Sequence, residues 1–287
     1  MMYVKHIVLI FSFLSIFINN LCCNDDTPIA VITKVKGSSV VIRRNSKIKP
    51  QPAAPIFVND KILTFSSSYV ELIFDVGITL RIEENTVFEV KTFFGESRYR
   101  KQRVNIGVKI NSGSTLVDTK LLEDIYELGS FVMVTPSAVA CVRGTVFYLR
   151  VDDAQTTDVA VFDGELDCYT GVAEEDIEKI FFADEEDVGF YEIRKKVSVT
   201  KDKQVTVSSD FTISAVTDLS FDMIEFKKSV VENFIKQSKK NRENLDKWKK
   251  ERVQWFRKQK EEFKNEAYKY KKQFIEEFGI ENKKYKK

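Results

Sequence analysis

Two carboxylates, Asp163 and Glu165, flank Gly164 in the stretch FDGEL. Paired carboxyls can cleave a glycosidic bond when one acts as acid and the other as base or nucleophile. Asp-Gly is also ordinary turn chemistry with solvated neighbours, and that reading is favoured. The only histidine, His6, lies near the N-terminus. The rest of the chain therefore has no imidazole for general-base catalysis, for a Ser-His or Cys-His triad, or for a His-rich metal site. Neither GxxxxGK[ST] nor GxGxxG is present, which weighs against a phosphate-binding loop. Zinc would have to be held by Cys141 and Cys168 with carboxylates, a poor set. An acidic run, Glu174, Glu175, Asp176, Glu178, Asp184, Glu185, Glu186 and Asp187, could face calcium. It lacks the Asp-x-Asp-x-Asp-Gly spacing of a calcium loop and reads better as a solvated acidic insertion. No catalytic, cofactor or metal-ligating residue is expected, and the chain does not read as an enzyme.

The N-terminus carries a targeting pattern. Lys5 precedes a twelve-residue apolar run, Ile7–Ile18, which is short for a bilayer span and the right length for the core of a signal peptide. Cys22 and Cys23 follow, where a bacterial lipoprotein signal would be cut and acylated, although Asn19-Asn20-Leu21 matches the usual small-residue site poorly. Lipidation at Cys22 or Cys23, plain secretion and a retained anchor all stay open. Acylation would tie the protein to a membrane face. No other stretch looks like a membrane span.

The elements behind these residues divide the chain in two. From Ile29 to Val216, short runs rich in Val, Ile, Thr and Phe alternate with Gly, Asn, Asp and Ser, the pattern of an all-β sandwich, barrel or solenoid. From about Asp218 there is no glycine or proline until Gly279. Leu245, Trp248, Trp255, Phe256, Phe263, Ala267, Tyr270, Phe274 and Phe278 recur at steps of mostly three, four and seven, one stripe on a long helix. The stripe is nearly blank from Gln237 to Asn244, where a break or hinge is expected. Charge divides the same way. Residues 221–287 hold 21 Lys+Arg against 12 Asp+Glu, or +9, which leaves 24 against 31, or −7, for residues 1–220. The basic helix is read as a surface for self-association or for anionic envelope material, in preference to one folded back on the β-region. Nucleic acid is not an expected partner.

Export would permit a disulfide between Cys141 and Cys168. A hairpin centred on Ala154-Gln155 with no slip would set them opposite each other. Two buried thiols are the alternative, and a single bulge would break the register. Between the cysteines, Val142-Arg143-Gly144-Thr145 interrupts a strand pattern with a charge and a glycine. Gly144 would let the strand bend, and Arg143 would fix carbonyls or a carboxylate such as Asp163 or Glu165. The expected role is an internal clamp at a sheet corner.

TPSAVACVRGTVFYLRVDD followed by TTDVAVFDGELDCY resembles the FecR domain family, whose members carry TP-x-A-x-x-x-VRGT-x-F and then a VLEGEV-like strand. The upstream stretch FVNDKILTFSSSYVELIFDVGITLRIEENTVFEV resembles the family's preceding strands. Asp75-Val76-Gly77-Ile78 stands where Asp-Gly-Ser is usual. The resemblance covers roughly Thr33 to Val207. It implies an all-β, solenoid-like or twisted-sandwich extracytoplasmic domain without catalytic activity. Founding members relay a signal from an outer-membrane receptor to a sigma factor through a cytoplasmic helical segment. Only about six residues precede the apolar run here, so that sigma-binding activity is not expected.

The expected organisation is a signal peptide over residues 1–22, of lipoprotein type if Cys22 or Cys23 is acylated, a FecR-like β-domain over 29–216 and a basic helical, coiled-coil-like extension over 218–287. The expected function is non-enzymatic binding, scaffolding or signalling at the bacterial cell envelope. The rival is a carboxylate-dependent carbohydrate-active enzyme.

Overall fold

A computed structural model describes residues 27–98, 101–120, 126–170 and 195–278. Cys22, Cys23 and the acidic residues between Glu174 and Asp187 lie outside these. The described strands join in one sheet of fifteen. They are β1 (Ala30–Lys36), β2 (Ser39–Arg43), β3 (Ser46–Ile48), β4 (Pro55–Ile56), β5 (Lys61–Thr64), β6 (Tyr69–Phe74), β7 (Thr79–Ile82) and β8 (Val87–Arg98). There follow β9 (Lys101–Asp118), β10 (Tyr126–Val134), β11 (Ala138–Val151), β12 (Thr157–Thr170), β13 (Lys195–Thr200), β14 (Lys203–Val207) and β15 (Thr217–Asp218).

The long strand β9 organises the sheet. Its first part pairs with β8 on one side and β10 on the other, while Gly113–Asp118 pairs with β11 and, over Thr115–Asp118, with β7. The changeover falls at Gly113, whose φ is +88°, and a Cβ there would lie 2.3 Å from Thr86 Oγ1. Only glycine fits that kink. Because β10 also pairs with β11, the chain of hydrogen bonds β9–β10–β11–β9 closes on itself. Among the described strands only β9 and β10 run parallel. A solenoid of stacked coils would make parallel neighbours the rule, so the solenoid-like expectation is corrected to a mostly antiparallel sheet with a closed circuit.

Strand alternation sends one set of side chains into the main core. Val70, Leu72 and Phe74 of β6 join Leu80, Ile82, Val117, Phe147 and Leu149 there, with Phe88 and Phe131 from the other half of the sheet. Burying each such side chain contributes roughly 1.5–3 kcal/mol. The opposite face of the same strands is also covered. Ile73 packs with Val31 against Leu245 and Trp248, and Leu116, Val146, Ala160 and Phe162 pack against Val231 and Phe234.

That cover is the C-terminal segment. Ser220 caps α1 (Phe221–Phe226) by accepting from Met223 N–H, a π-helical stretch Lys227–Val231 follows, and then come α2 (Glu232–Glu243) and α3 (Leu245–Phe278). The expected break falls at Asn244 (φ −99°, ψ 12°). The expectation of an extended helix is corrected for its first part. Val231, Phe234, Ser238, Asn241, Leu245 and Arg252 are all buried, at steps of three, four and seven. The blank in the apolar stripe is a polar portion of the docking face, carried by Ser238 and Asn241.

Candidate functional site at the strand corner and the helical strap

The corner forms where β11 meets β12. Pairing runs Phe147 to Val161, Val146 to Asp163 and Arg143 to Glu165, so each strand gains one extra residue, at Phe162 and at Gly144-Thr145. Gly144 and Gly164 take positive φ, +65° and +84°, which ordinary side chains resist. A Cβ on Gly164 would lie 2.9 Å from Gly144 O and 3.0 Å from Thr145 Cα. The two glycines of VRGT and FDGEL thus face each other across a paired bulge.

Thr145 ties the corner together. Fully buried, it donates from Oγ1 to Glu165 O at 2.5 Å and from its N–H to Thr119 Oγ1 at 2.7 Å. Thr119 answers through its N–H and its hydroxyl, both donating to Thr145 O at 3.0 and 3.1 Å. The described clamp is therefore carried by Thr145. Val142 lies in the main core opposite Leu166. The Arg143 side chain lies outside what the structure describes, although its backbone pairs with Glu165.

Because the two extra residues cancel, the register beyond the corner is that of a hairpin centred on Ala154. Ala140 faces Cys168 and Cys141 faces Asp167. Cys141 and Cys168 are buried thiols with no disulfide between them. The disulfide expectation is corrected by one residue of register, which sends the two side chains to opposite sheet faces. Burial pushes the Cys168 thiol up to about 12, with Asp167 adding to it.

The carboxylate pair lies on the outer side of the corner. Partial burial alone would raise the Asp163 carboxyl, but Lys120 and Lys201, at 3.4 and 3.5 Å, hold it below the usual value. Glu165 is exposed. A cleft of about 260 Å³ lies between α1 and strands β11, β12 and β14, with Tyr148, Asp158 and Asp222 in its wall. Asp158 there is already held by Arg150 at 2.6 Å and Thr206 at 2.7 Å.

The polar residues that sequence reasoning missed are those beneath the helices. Asp118, adjacent to Thr119, is fully buried and accepts from Arg242 of α2 at 3.0 Å. Thr79 donates to Ser238 at 2.6 Å, and Asn241 lies 3.5 Å from Thr33 Oγ1. Arg252 of α3 grips both oxygens of Asp75 at 2.7 and 2.9 Å. Asp75 opens the β6–β7 hairpin, the place where the sequence departs from Asp-Gly-Ser. The signal was the spacing of Ser238, Asn241, Leu245 and Arg252, which continues the helical period through polar types.

The VRGT stretch, the facing FDGEL stretch and the hairpin at Asp75 all fall within one matched segment. Residues 60–167 match the family model described as FecR protein. They form a FecR domain. Two crystal structures of a candidate anti-sigma factor from Parabacteroides distasonis also align with the chain, at 12% identity and TM-scores of 0.40 and 0.38. The alignments cover 59% and 57% of this chain and 64% and 62% of those, so the chain spans less than two thirds of either. No curated protein matches the chain. Strands β1–β4 on one side of the FecR domain, and β13–β15 with the helices on the other, extend its sheet and cover its face. No helix among the described residues is long and apolar enough to cross a membrane.

Proposed function

We propose that this is a non-enzymatic, exported cell-envelope protein whose FecR domain acts in binding, scaffolding or signalling. We divide it into a leader over 1–22, a β-body over 29–216 and a basic extension over 218–287. The observation that carries the reading is that Thr145, Thr119 and Asp163, three described polar groups of the corner, are engaged by partners within the chain. Thr145 and Thr119 satisfy each other at the corner, and the Asp163 carboxylate sits between two lysines. The partner is a protein or an envelope polymer, reached from a chain attached through Cys22 or Cys23.

Expression in a bacterial host with the chain's own leader tests this, by membrane fractionation and intact mass. A chain that begins at Cys22 or Cys23 and carries acyl groups in the membrane fraction is the expected result. An unmodified mature chain outside the cytoplasm would keep export and remove the lipid. A full-length chain in the cytosol would overturn the reading.

A further inference from the structure

The start of β1 and the first turns of α3 meet at one spot on the body. Arg252, the last buried residue of the docking face, lies 3.5 Å from Ala30 O through Nη1 while both its amino groups hold Asp75. Asp75 in turn donates its N–H to Ile29 O at 2.9 Å. The first residues of β1 and the point where α3 leaves the sheet are therefore stitched through one carboxylate. Only five residues separate Cys23 from Ile29, six steps with a reach of roughly 20 Å even when fully extended. Any anchor at Cys22 or Cys23 holds the root of the outgoing helix within about that distance of the bilayer.

What leaves from that root is suited to such a surface. Past Trp255 every side chain the structure describes is exposed, including Arg257, Lys258, Tyr268 and Lys269. Helical positions 256, 263, 267, 270, 274 and 278 carry Phe, Phe, Ala, Tyr, Phe and Phe, at steps of seven, four, three, four and four. Residues 256–278 hold seven Lys+Arg (257, 258, 260, 264, 269, 271, 272) against five Glu (261, 262, 266, 276, 277), a net +2, and all seven cations lie before the last turn and a half. An aromatic stripe beside a basic face lies in the plane of an anionic headgroup layer, and each cation near that layer adds to the attraction. A second copy of the same segment would instead bring +2 against +2.

We infer that the distal half of α3 is a second membrane contact, lying on the anionic lipid surface to which the N-terminus is tethered. The inference rests on the proposed export for its tether but not for its lipid chemistry. The helix would also fix which side of the FecR domain faces away from the lipid.

The test uses the chain from residue 24 onward, which carries neither the apolar leader nor an acyl group. It is sedimented with vesicles of pure phosphatidylcholine, or of phosphatidylcholine containing about a third phosphatidylglycerol. Binding at least tenfold tighter to the anionic vesicles, weakened by salt, is expected. Lys264→Glu/Lys271→Glu/Lys272→Glu should lose at least tenfold of that binding, with an unchanged melting temperature because these positions lie beyond the docked seam. Equal binding by the variant and the parent would overturn the inference. So would a concentration-dependent dimer, abolished by Phe263→Ser, in a chain that ignores anionic vesicles. Neither result bears on whether the protein is exported.

Discussion

Arg242 reaches from α2 to the Asp118 carboxylate at 3.0 Å, and Asp118 is followed directly by Thr119, which holds the Gly144-Thr145 bulge. The helical strap and the family motif thus share one end of β9. The Asp118 side chain is fully buried and that of Arg242 is 12% exposed. Removing one partner of such a pair leaves an uncompensated buried charge and costs roughly 3–5 kcal/mol. Arg242→Ala should therefore lower the unfolding free energy by about 3 kcal/mol and expose residues 221–252 to protease. Asp118→Asn with Arg242→Met should recover much of the loss, because it removes both charges. Urea unfolding of the three variants checks this. A single variant as stable as the parent would show that the strap does not depend on the pair.

The two glycines of the corner separate backbone strain from contact. A Cβ at Gly144 would meet nothing within 4 Å, so Gly144→Ala carries only the left-handed penalty of about 1–2 kcal/mol. At Gly164 the same penalty is joined by a clash with Gly144 O and Thr145 Cα. Gly164→Ala should be the more damaging of the two in thermal melts. The reverse order would place the strain of the corner elsewhere.

Much of this was legible in the sequence where one physical rule acted alone. Alternation in YVELIF and TVFYLRV marks strands because one face must be buried, and the corner was legible because a glycine beside a charge has no packing use mid-strand. What escaped were places where two rules compete. Cys141 and Cys168 miss each other because the hairpin turns about Ala154, with Val151 opposite Thr157, half a residue from the Ala154-Gln155 centre, and the two later bulges cancel. The break expected between Gln237 and Asn244 falls at Asn244, but apolar content alone does not show that the stretch before it is docked. The sheet beneath it offers Thr79, Asp118 and Thr33, so the complementary helix face had to be polar. Asp75 was visible only as a departure from a family pattern, and its role needed Arg252, 177 residues away in sequence.

The thiols give a third expectation. Cys141 and Cys168 are both buried, and Cys168 is pushed up to about 12, so almost none of it is thiolate at neutral pH. A chain carrying Cys22→Ser and Cys23→Ser should resist iodoacetamide when native and react at both remaining cysteines in urea without prior reduction. Its melting temperature should not change with reductant. A drop in melting temperature on reduction would restore the disulfide.

Glu71 and Glu83 make stability depend on pH. Burial raises the Glu71 carboxyl above its ordinary value, against the pull of Lys34 and Arg81. Glu83 is raised for the same reason, against Arg81, with Glu71 and Glu84 adding to it. Glu71 lies directly across from Arg81 on β7, and Arg81 Nε is 3.0 Å from Glu83 Oε1. In both cases the folded chain binds the proton more tightly than the unfolded chain does. The stability that protonation contributes is therefore fully present below the unfolded value and is lost as pH rises through the raised folded value. Glu71→Gln keeps the neutral shape without the desolvated charge. Against the parent it should gain stability as pH rises from acid to neutral, with the gap closing at low pH, as read from urea midpoints across that range. A Glu71→Gln variant that loses ground to the parent as pH rises would mean that the ion pairs with Lys34 and Arg81 outweigh the desolvation of the carboxylate.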